Sequence, residues 1–485
     1  MSKEFKEFLF EDIVKKDKGF LRGPFGGSLK KEIFVPKGKN TYKVYEQGVV
    51  LRKDIEIGDY YINGDYFNQQ MHRFEVCPKD FLVSCSGANY GAIFQIPENI
   101  EKGIINQALL RIRLNNKIIN DKYFYYFFSH HLVNQIIGKK GDSTIPNFPP
   151  VSVLKKLNIK IHSSVIEQQK IAKVLSDLDA KIELNNKINT ELEAMAKTLY
   201  DYWFVQFDFP VAASCHSELV SESNKGYKSS GGKMVYNEEL KREIPEGWKV
   251  DTLSSFINND KSGDWGKEQE EGNYNQRVYC VRGADINGLN GKGELKTPER
   301  YILEKNLFKT LDPHDLIVEI SGGSPVQSTG RLAYITEETL HRFDAPIICS
   351  NFCKAVTLKS KYYFYNFVFQ WNSIYDAGVL FGYEGKTSGI KNLLFESFVS
   401  THYTAIPPIE LAEKFYDFMK PIQIKKEKNL KENQELASLR DWLLPMLMNG
   451  QVSVASTGSA TEKRYEVEDS ELGIVAEDKV EYKKN

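Results

Sequence analysis

The sequence predicts an α+β fold built twice: two duplicated α/β domains separated by two long helices that form an antiparallel coiled coil. Three observations predict it. Several short segments recur, in the same order, with a period of about 240 residues. Each recurring block mixes short β-type runs with one aromatic stretch long enough for a helix. Each block is then followed by a long segment with apolar residues at three- and four-residue spacing.

The repeat is carried by named residues. Val76-Cys77-Pro78-Lys79-Asp80-Phe81-Leu82-Val83 recurs as Leu311-Asp312-Pro313-His314-Asp315-Leu316-Ile317-Val318. Both runs reach a Ser-Gly, at Ser86-Gly87 and Ser321-Gly322. The aromatic run 122–128 recurs as 361–367, and 144–148 recurs as 388–393. Strands are expected at Tyr42–Leu51, Asp80–Ser84, Gly91–Ile96, Asn106–Leu114, Arg277–Val281, Asp315–Ile320 and Arg331–Ile335, with helices within 122–137 and 361–375.

The first long helix follows from residues 163–203, which contain neither Pro nor Gly. Ser164 and Glu167 stand at capping-box spacing at its start. Its expected seam is Ile171, Val174, Leu178, Asn185, Ile188, Leu192, Met195 and Leu199, extended to Tyr202. A shift of 244 gives the second seam: Phe415, Phe418, Ile422, Asn429, Leu436, Leu439 and Leu443, extended to Met446. Asn185 and Asn429 correspond, and both are placed either in the seam, where a polar residue fixes register, or in water. Lys181 and Lys425 interrupt the stripe, and Pro421 is expected to kink or delay the second helix. A helix of about 40 residues is roughly 60 Å long, about twice the width of one domain core. It therefore needs a partner, and the other copy supplies one.

These readings divide the chain into a first domain 1–160, a first spacer helix 161–205, a linker 206–235, a second domain 236–408, a second spacer helix 409–450 and a polar tail 451–485. Residues 211–234 are rich in Ser, Gly and Lys, and the tail reads as disordered or as a docking arm. With 485 residues, about three structural units are expected. Charge is uneven along the chain: residues 1–160 hold 25 basic and 17 acidic residues, and 236–408 hold 19 and 23. The whole chain carries a formal charge of -1, which excludes a polycation and leaves nucleic-acid binding to local patches.

Other classes are excluded or disfavoured. No apolar run is long enough to cross a membrane, and the N-terminus lacks a secretion signal, so a cytoplasmic protein is expected. The six cysteines form no CxxC pair and are read as reduced thiols, with no metal site. There is no GxGxxG after a strand, phosphate loop, HExxH, GxSxG or kinase set. Asn147-Phe148-Pro149-Pro150 has the letters of an adenine-methyltransferase tetrapeptide in the wrong order. No catalytic residue is assigned, and a binding module is favoured.

Three further segments carry a resemblance: Ile166-Glu167-Gln168-Gln169-Lys170-Ile171-Ala172, the run 192–208 (LEAMAKTLYDYWFVQFD) and the run 433–445 (NQELASLRDWLLP), with Ile244-Pro245-Glu246-Gly247-Trp248 opening the second copy. With the duplication, these make residues 1–450 resemble the specificity subunit of type I restriction–modification systems. The linker 211–234 and the tail depart from that pattern. The resemblance implies two target recognition domains, each reading one half of a split sequence in double-stranded DNA. It implies helices that space those domains and dock two methyltransferase subunits together with restriction/motor subunits. It implies no cofactor on this chain; S-adenosylmethionine would come with the methyltransferase, and ATP and Mg with the motor. It also implies no membrane association. Phosphate and base contacts need cations and polar groups in exposed loops. The candidates are Arg22, Lys30, Lys31, Lys139, Lys140, Ser143 and Thr144 in the first copy, and Lys261, Trp265, Lys267, Lys386, Thr387 and Ser388 in the second. The alternatives are a structural coiled-coil adaptor and a fused DNA-modifying enzyme with an unrecognised catalytic site.

Overall fold

The computed structural model describes residues 5–454, apart from 88, 134–135, 137–147, 211–225, 323–325 and 388–389, and apart from the exposure of Gly26 and the side chains of His131, Lys386 and Thr387. It divides into two compact units, one of residues 1–173 with 444–485, the other of residues 174–443.

The first unit holds the first repeat. Phe81–Ser84 is wholly buried and lies inside a four-stranded antiparallel sheet in the order Phe20–Arg22, Leu109–Ile112, Phe81–Ser84, Ile93–Gln95. A strand covered on both faces reads as an unbroken apolar run, as Phe81-Leu82-Val83 does. A second sheet sets Thr41–Tyr45 between Tyr61–Asn63, antiparallel, and Gly103–Ile105, parallel. A two-stranded ribbon joins Phe5–Leu9 to Asn158–His162. The Asn120 side chain accepts from the Tyr123 N–H at 3.1 Å and starts the aromatic helix Asp121–Phe127, whose Tyr123, Phe124 and Phe127 are buried.

The second unit repeats each sheet. The four-stranded order is Ile257–Ser262, Cys353–Leu358, Asp315–Glu319, Leu332–Tyr334, again antiparallel. Tyr274–Val281 lies between Glu299–Leu303, antiparallel, and Ile347–Cys349, parallel. Lys249–Thr252 pairs with Tyr403–Ile406. The expected strands are present, except that Tyr42–Leu51 divides into the strand Thr41–Tyr45 and a helix Gln47–Arg52. The second unit also holds a small sheet of Ser321–Gly322, Ile390–Leu393 and Glu384–Thr387, whose counterparts in the first repeat fall largely outside the described residues.

The long helices are Val165–Tyr200 and Ile409–Met448. Within the second unit they run antiparallel, side by side. Arg440 bonds Asp179 at 2.7 Å, Asn185 bonds Asn433 at 2.9 Å, Asn429 bonds Asn189 at 2.8 Å, and Lys426 reaches Glu193 at 3.5 Å. Asn185 and Asn429 are 1% and 2% exposed, so they lie in the seam and not in water. The shift of 244 carries the pair Asn185–Asn433 onto the pair Asn429–Asn189, so the polar layer itself has twofold character.

The expected seam is partly corrected. Met195, Phe418 and Leu439 are 61%, 42% and 42% exposed. The inward positions alternate by four and three residues: Ile171, Leu175, Leu178, Ile182, Asn185, Asn189, Leu192, Ala196 and Leu199, then Phe415, Met419, Ile422, Lys426, Asn429, Asn433, Leu436, Arg440 and Leu443, each buried or half-buried. Val174 and Ile188 are half-buried beside that line. Lys181 and Lys425 lie outside it and are exposed. Pro421 does not interrupt the second helix. Its ring faces outward, and Met419 and Ile422 on either side hold the turn by packing.

Replacing Asn189 by Ala is expected to strand the buried Asn429 amide, which donates to it, and to lower unfolding free energy by about 1–3 kcal/mol. A urea midpoint unchanged from the parent chain contradicts this.

Candidate nucleic-acid interface

In both repeats a buried aspartate organises the turn that leads into the central strand. In the first unit the Cys77 N–H donates to Asp80 at 2.8 Å, and Arg113 donates to the same carboxylate at 2.6 and 2.7 Å. Hydrogen bonding to Asp80 raises the Arg113 pKa above its ordinary value, while burial lowers that of Arg111, which also donates to the Glu75 carbonyl and to the Lys18 carbonyl at 3.0 Å. In the second unit the Asp312 N–H donates to Asp315 at 2.9 Å, Thr357 donates at 2.5 Å, and Lys261 lies 3.4 Å away. The residue before each aspartate, Lys79 or His314, has φ of 68° or 75°. The same left-handed turn is thus built twice.

The turn decides the fate of one candidate. Lys261 points its ammonium inward, to the Thr310 carbonyl at 3.1 Å and to Asp315, where it neutralises a buried carboxylate. It is not the free loop cation that its sequence context suggests. Arg22 is half-buried at the end of strand Phe20–Arg22, and its Nε has no hydrogen-bond partner among the described residues. Lys30 and Lys31 are exposed, Lys30 as the extended link between the short turns Gly26–Leu29 and Lys31–Ile33 and Lys31 at the start of the second. Lys267 is paired with Glu271 at 2.7 Å and lies over the Tyr274 ring. Trp265 is 38% exposed, with the Arg300 guanidinium 4.3 Å from its ring centre. Lys386 and Thr387 lie in the edge strand Glu384–Thr387, but their side chains are outside the described residues. Lys139, Lys140, Ser143, Thr144 and Ser388 are outside them entirely.

Trp265 forms one wall of a cleft of about 400 Å³, shared with Arg282, Glu319, Ser321, Gly322 and Phe352. Arg282 is held by Asp285 at 2.8 Å, and Glu319 by Arg331 at 2.7 Å. Both charges are therefore fixed in place before any ligand arrives. Sequence reasoning passed over Arg282, Phe352 and, in the first repeat, Phe25, which is 74% exposed. A signal for Phe25 was present: Gly23-Pro24-Phe25-Gly26 and Gly263-Asp264-Trp265-Gly266 share the pattern Gly-x-aromatic-Gly.

The chemistry on offer is recognition by rings, cations and backbone. Burial pushes the thiols of Cys85, Cys280 and Cys353 up to about 12, so none is a thiolate nucleophile at neutral pH. Among the described residues no group of three or more His, Cys, Asp or Glu is arranged to hold a metal. No helix among them is long and apolar enough to cross a membrane.

Residues 29–194 match the family model for the type I restriction modification DNA specificity domain. The chain is 26% identical over 388 residues to the type I restriction enzyme MjaIX specificity subunit of Methanocaldococcus jannaschii, a match covering 78% of this chain and 79% of that one. It is 31% identical over 186 residues to the MjaVIII specificity subunit of the same organism, covering 37% and 35%. Among solved structures, the S subunit of a type I restriction–modification system from M. genitalium shares the fold, with a TM-score of 0.50 at 16% identity, covering 92% of this chain and 97% of that one.

Proposed function

We propose that this chain is a specificity subunit of a type I restriction–modification system, serving DNA sequence recognition, and that each repeat reads one half of a split target in double-stranded DNA. The observation that supports two reading heads is the strand-for-strand duplication. Each sheet of the first head has a counterpart in the second with the same order and strand directions. Two heads of one design with different exposed loops suit two different half-sites, since shared scaffolds position and loop side chains specify.

In this reading the chain is not itself catalytic. It docks two methyltransferase subunits and the restriction/motor subunits in the cytoplasm. S-adenosylmethionine is held by the methyltransferase and ATP with Mg by the motor.

The test is domain exchange. Residues 1–160 are replaced by the first domain of another family member, and methylated bases are sequenced in a host expressing the chimera with its methyltransferase partner. One half-site is expected to change while the other stays. A target unchanged in both halves overturns DNA reading by residues 1–160 and favours the adaptor. Methylation by the purified chain alone overturns the non-catalytic assignment.

A further inference from the structure

Both heads hold out an aromatic ring at the same corner. In the four-stranded sheets, Arg22 and Val83 both pair with Leu110, and Ser262 and Val318 both pair with Lys354. Val83 and Val318 are counterparts in the repeat, so Arg22 and Ser262 are too. The next residues are Gly23 and Gly263. A Cβ on Gly23 would collide with the Asn106 carbonyl oxygen, and one on Gly263 with that of Ser350. Asn106 and Ser350 follow the parallel strands Gly103–Ile105 and Ile347–Cys349, and so are themselves counterparts. The same close backbone approach therefore fixes the chain two residues before Phe25 and two residues before Trp265.

Phe25 is 74% exposed and Trp265 38%. Leaving such a ring in water forgoes favourable apolar burial. Phe10, Phe81, Phe124 and Trp371 are buried, whereas Tyr60, Phe308, Phe352 and Phe381 are exposed like the two corner rings; what sets Phe25 and Trp265 apart is their matched place in the repeat. The two corners differ in how the ring is prepared. Trp265 rests on Arg300, which is itself paired with Glu268 at 3.1 Å. Phe25 has no ring or cation contact among the described residues, and the exposed Lys30 and Lys31 follow it on the next turn.

We propose that Phe25 and Trp265 are a matched pair of base-contacting probes, each laying its ring against a base step of the duplex in its own half-site. This rests on the reading of the two heads given above. An exposed ring held out on a fixed backbone corner suits a base face or a partly unstacked step.

The experiment uses the complete chain assembled with its methyltransferase subunits and a duplex of the sequence found by methylated-base sequencing. 2-Aminopurine is placed in turn at each adenine of both half-sites. Binding is expected to change fluorescence in each half. Phe25→Ala is expected to abolish that change in the first half-site only, and Trp265→Ala in the second only. Each should weaken binding by about 5- to 150-fold. Phe25→Trp and Trp265→Phe are expected to retain both signals. The Phe25 ring is 74% exposed, so the Phe25→Ala urea midpoint should stay at the parent value; Trp265 packs on Arg300, so Trp265→Phe, which keeps a ring there, controls for stability at that corner. Alanine variants that bind within twofold of the parent, with the fluorescence change intact, overturn the proposal while leaving the domain-exchange result standing. Alanine variants that lose the methyltransferase on size exclusion also overturn it and make the rings a protein-docking surface.

Discussion

Removing either partner of the Arg342–Glu427 pair is expected to lower the unfolding free energy of the second unit by about 3–5 kcal/mol, because it leaves a buried charge without its counter-charge. The two groups lie 3.0 Å apart with side chains 2% and 0% exposed. Glu427 is on the second long helix and also accepts from Thr339 at 3.1 Å and Gln423 at 3.0 Å, so the loss loosens that helix from the second head. Replacing both residues by apolar ones, Arg342→Met with Glu427→Leu, is expected to restore most of the stability, since no charge then needs burying. Urea unfolding of the two single variants and the double variant measures this directly. A double variant no more stable than either single one contradicts it.

The same pair gives a pH dependence. Burial holds the Glu427 carboxyl above the usual glutamate range, with Arg342 opposing the shift. The folded state therefore binds this proton more tightly than the unfolded state. The contribution favours folding below the ordinary glutamate range and is lost as pH rises through the raised folded value. Glu427→Gln should flatten that part of the stability curve.

Asp80→Ala is expected to cost about 3–5 kcal/mol and Asp315→Ala about 1–3 kcal/mol, although the two aspartates are counterparts. Removing Asp80 leaves Arg111, which is 1% exposed, and the half-buried Arg113 without a counter-charge. Removing Asp315 strands a hydroxyl and an N–H, and frees Lys261, whose side chain is 17% exposed and which also lies 3.5 Å from the exposed Asp312. Limited proteolysis and urea midpoints rank the two variants. Equal losses would show that the aspartate turn, and not its cations, carries the energy.

Much of this fold was legible because it is written in periodic patterns. Strand Phe81–Ser84 reads as an apolar run because both its faces are covered. The sequence pattern carries the right repeat shift for the seam but places Met195, Phe418 and Leu439 in it, because an apolar side chain beside the stripe looks like one on it. Lys426 and Arg440, by contrast, occupy inward positions that polarity argues against. Lys426 reaches the Glu193 carboxylate, and Arg440 that of Asp179. At the candidate interface, Lys261 has the local sequence of a loop cation, and nothing local connects residues 261 and 315, whose side chains lie 3.4 Å apart.

By itself, the sequence determined that the fold occurs twice, where its long helices run and that each needs a partner, since those properties are carried by spacing within short stretches of chain. Tertiary structure alone decided which polar residues are paired in the seam and where each helix ends. The run Tyr200, Trp203, Phe204 and Phe207 follows the first repeat yet packs with Trp248 and Phe415 in the core of the second unit. The corresponding Leu444, Leu447 and Met448 follow the second repeat and belong to the first unit, where Gly450 abuts the Phe5 ring. An apolar helix end specifies that it must be buried, but not by which of two similar heads. That choice lies in long-range packing, to which residues adjacent in sequence are blind.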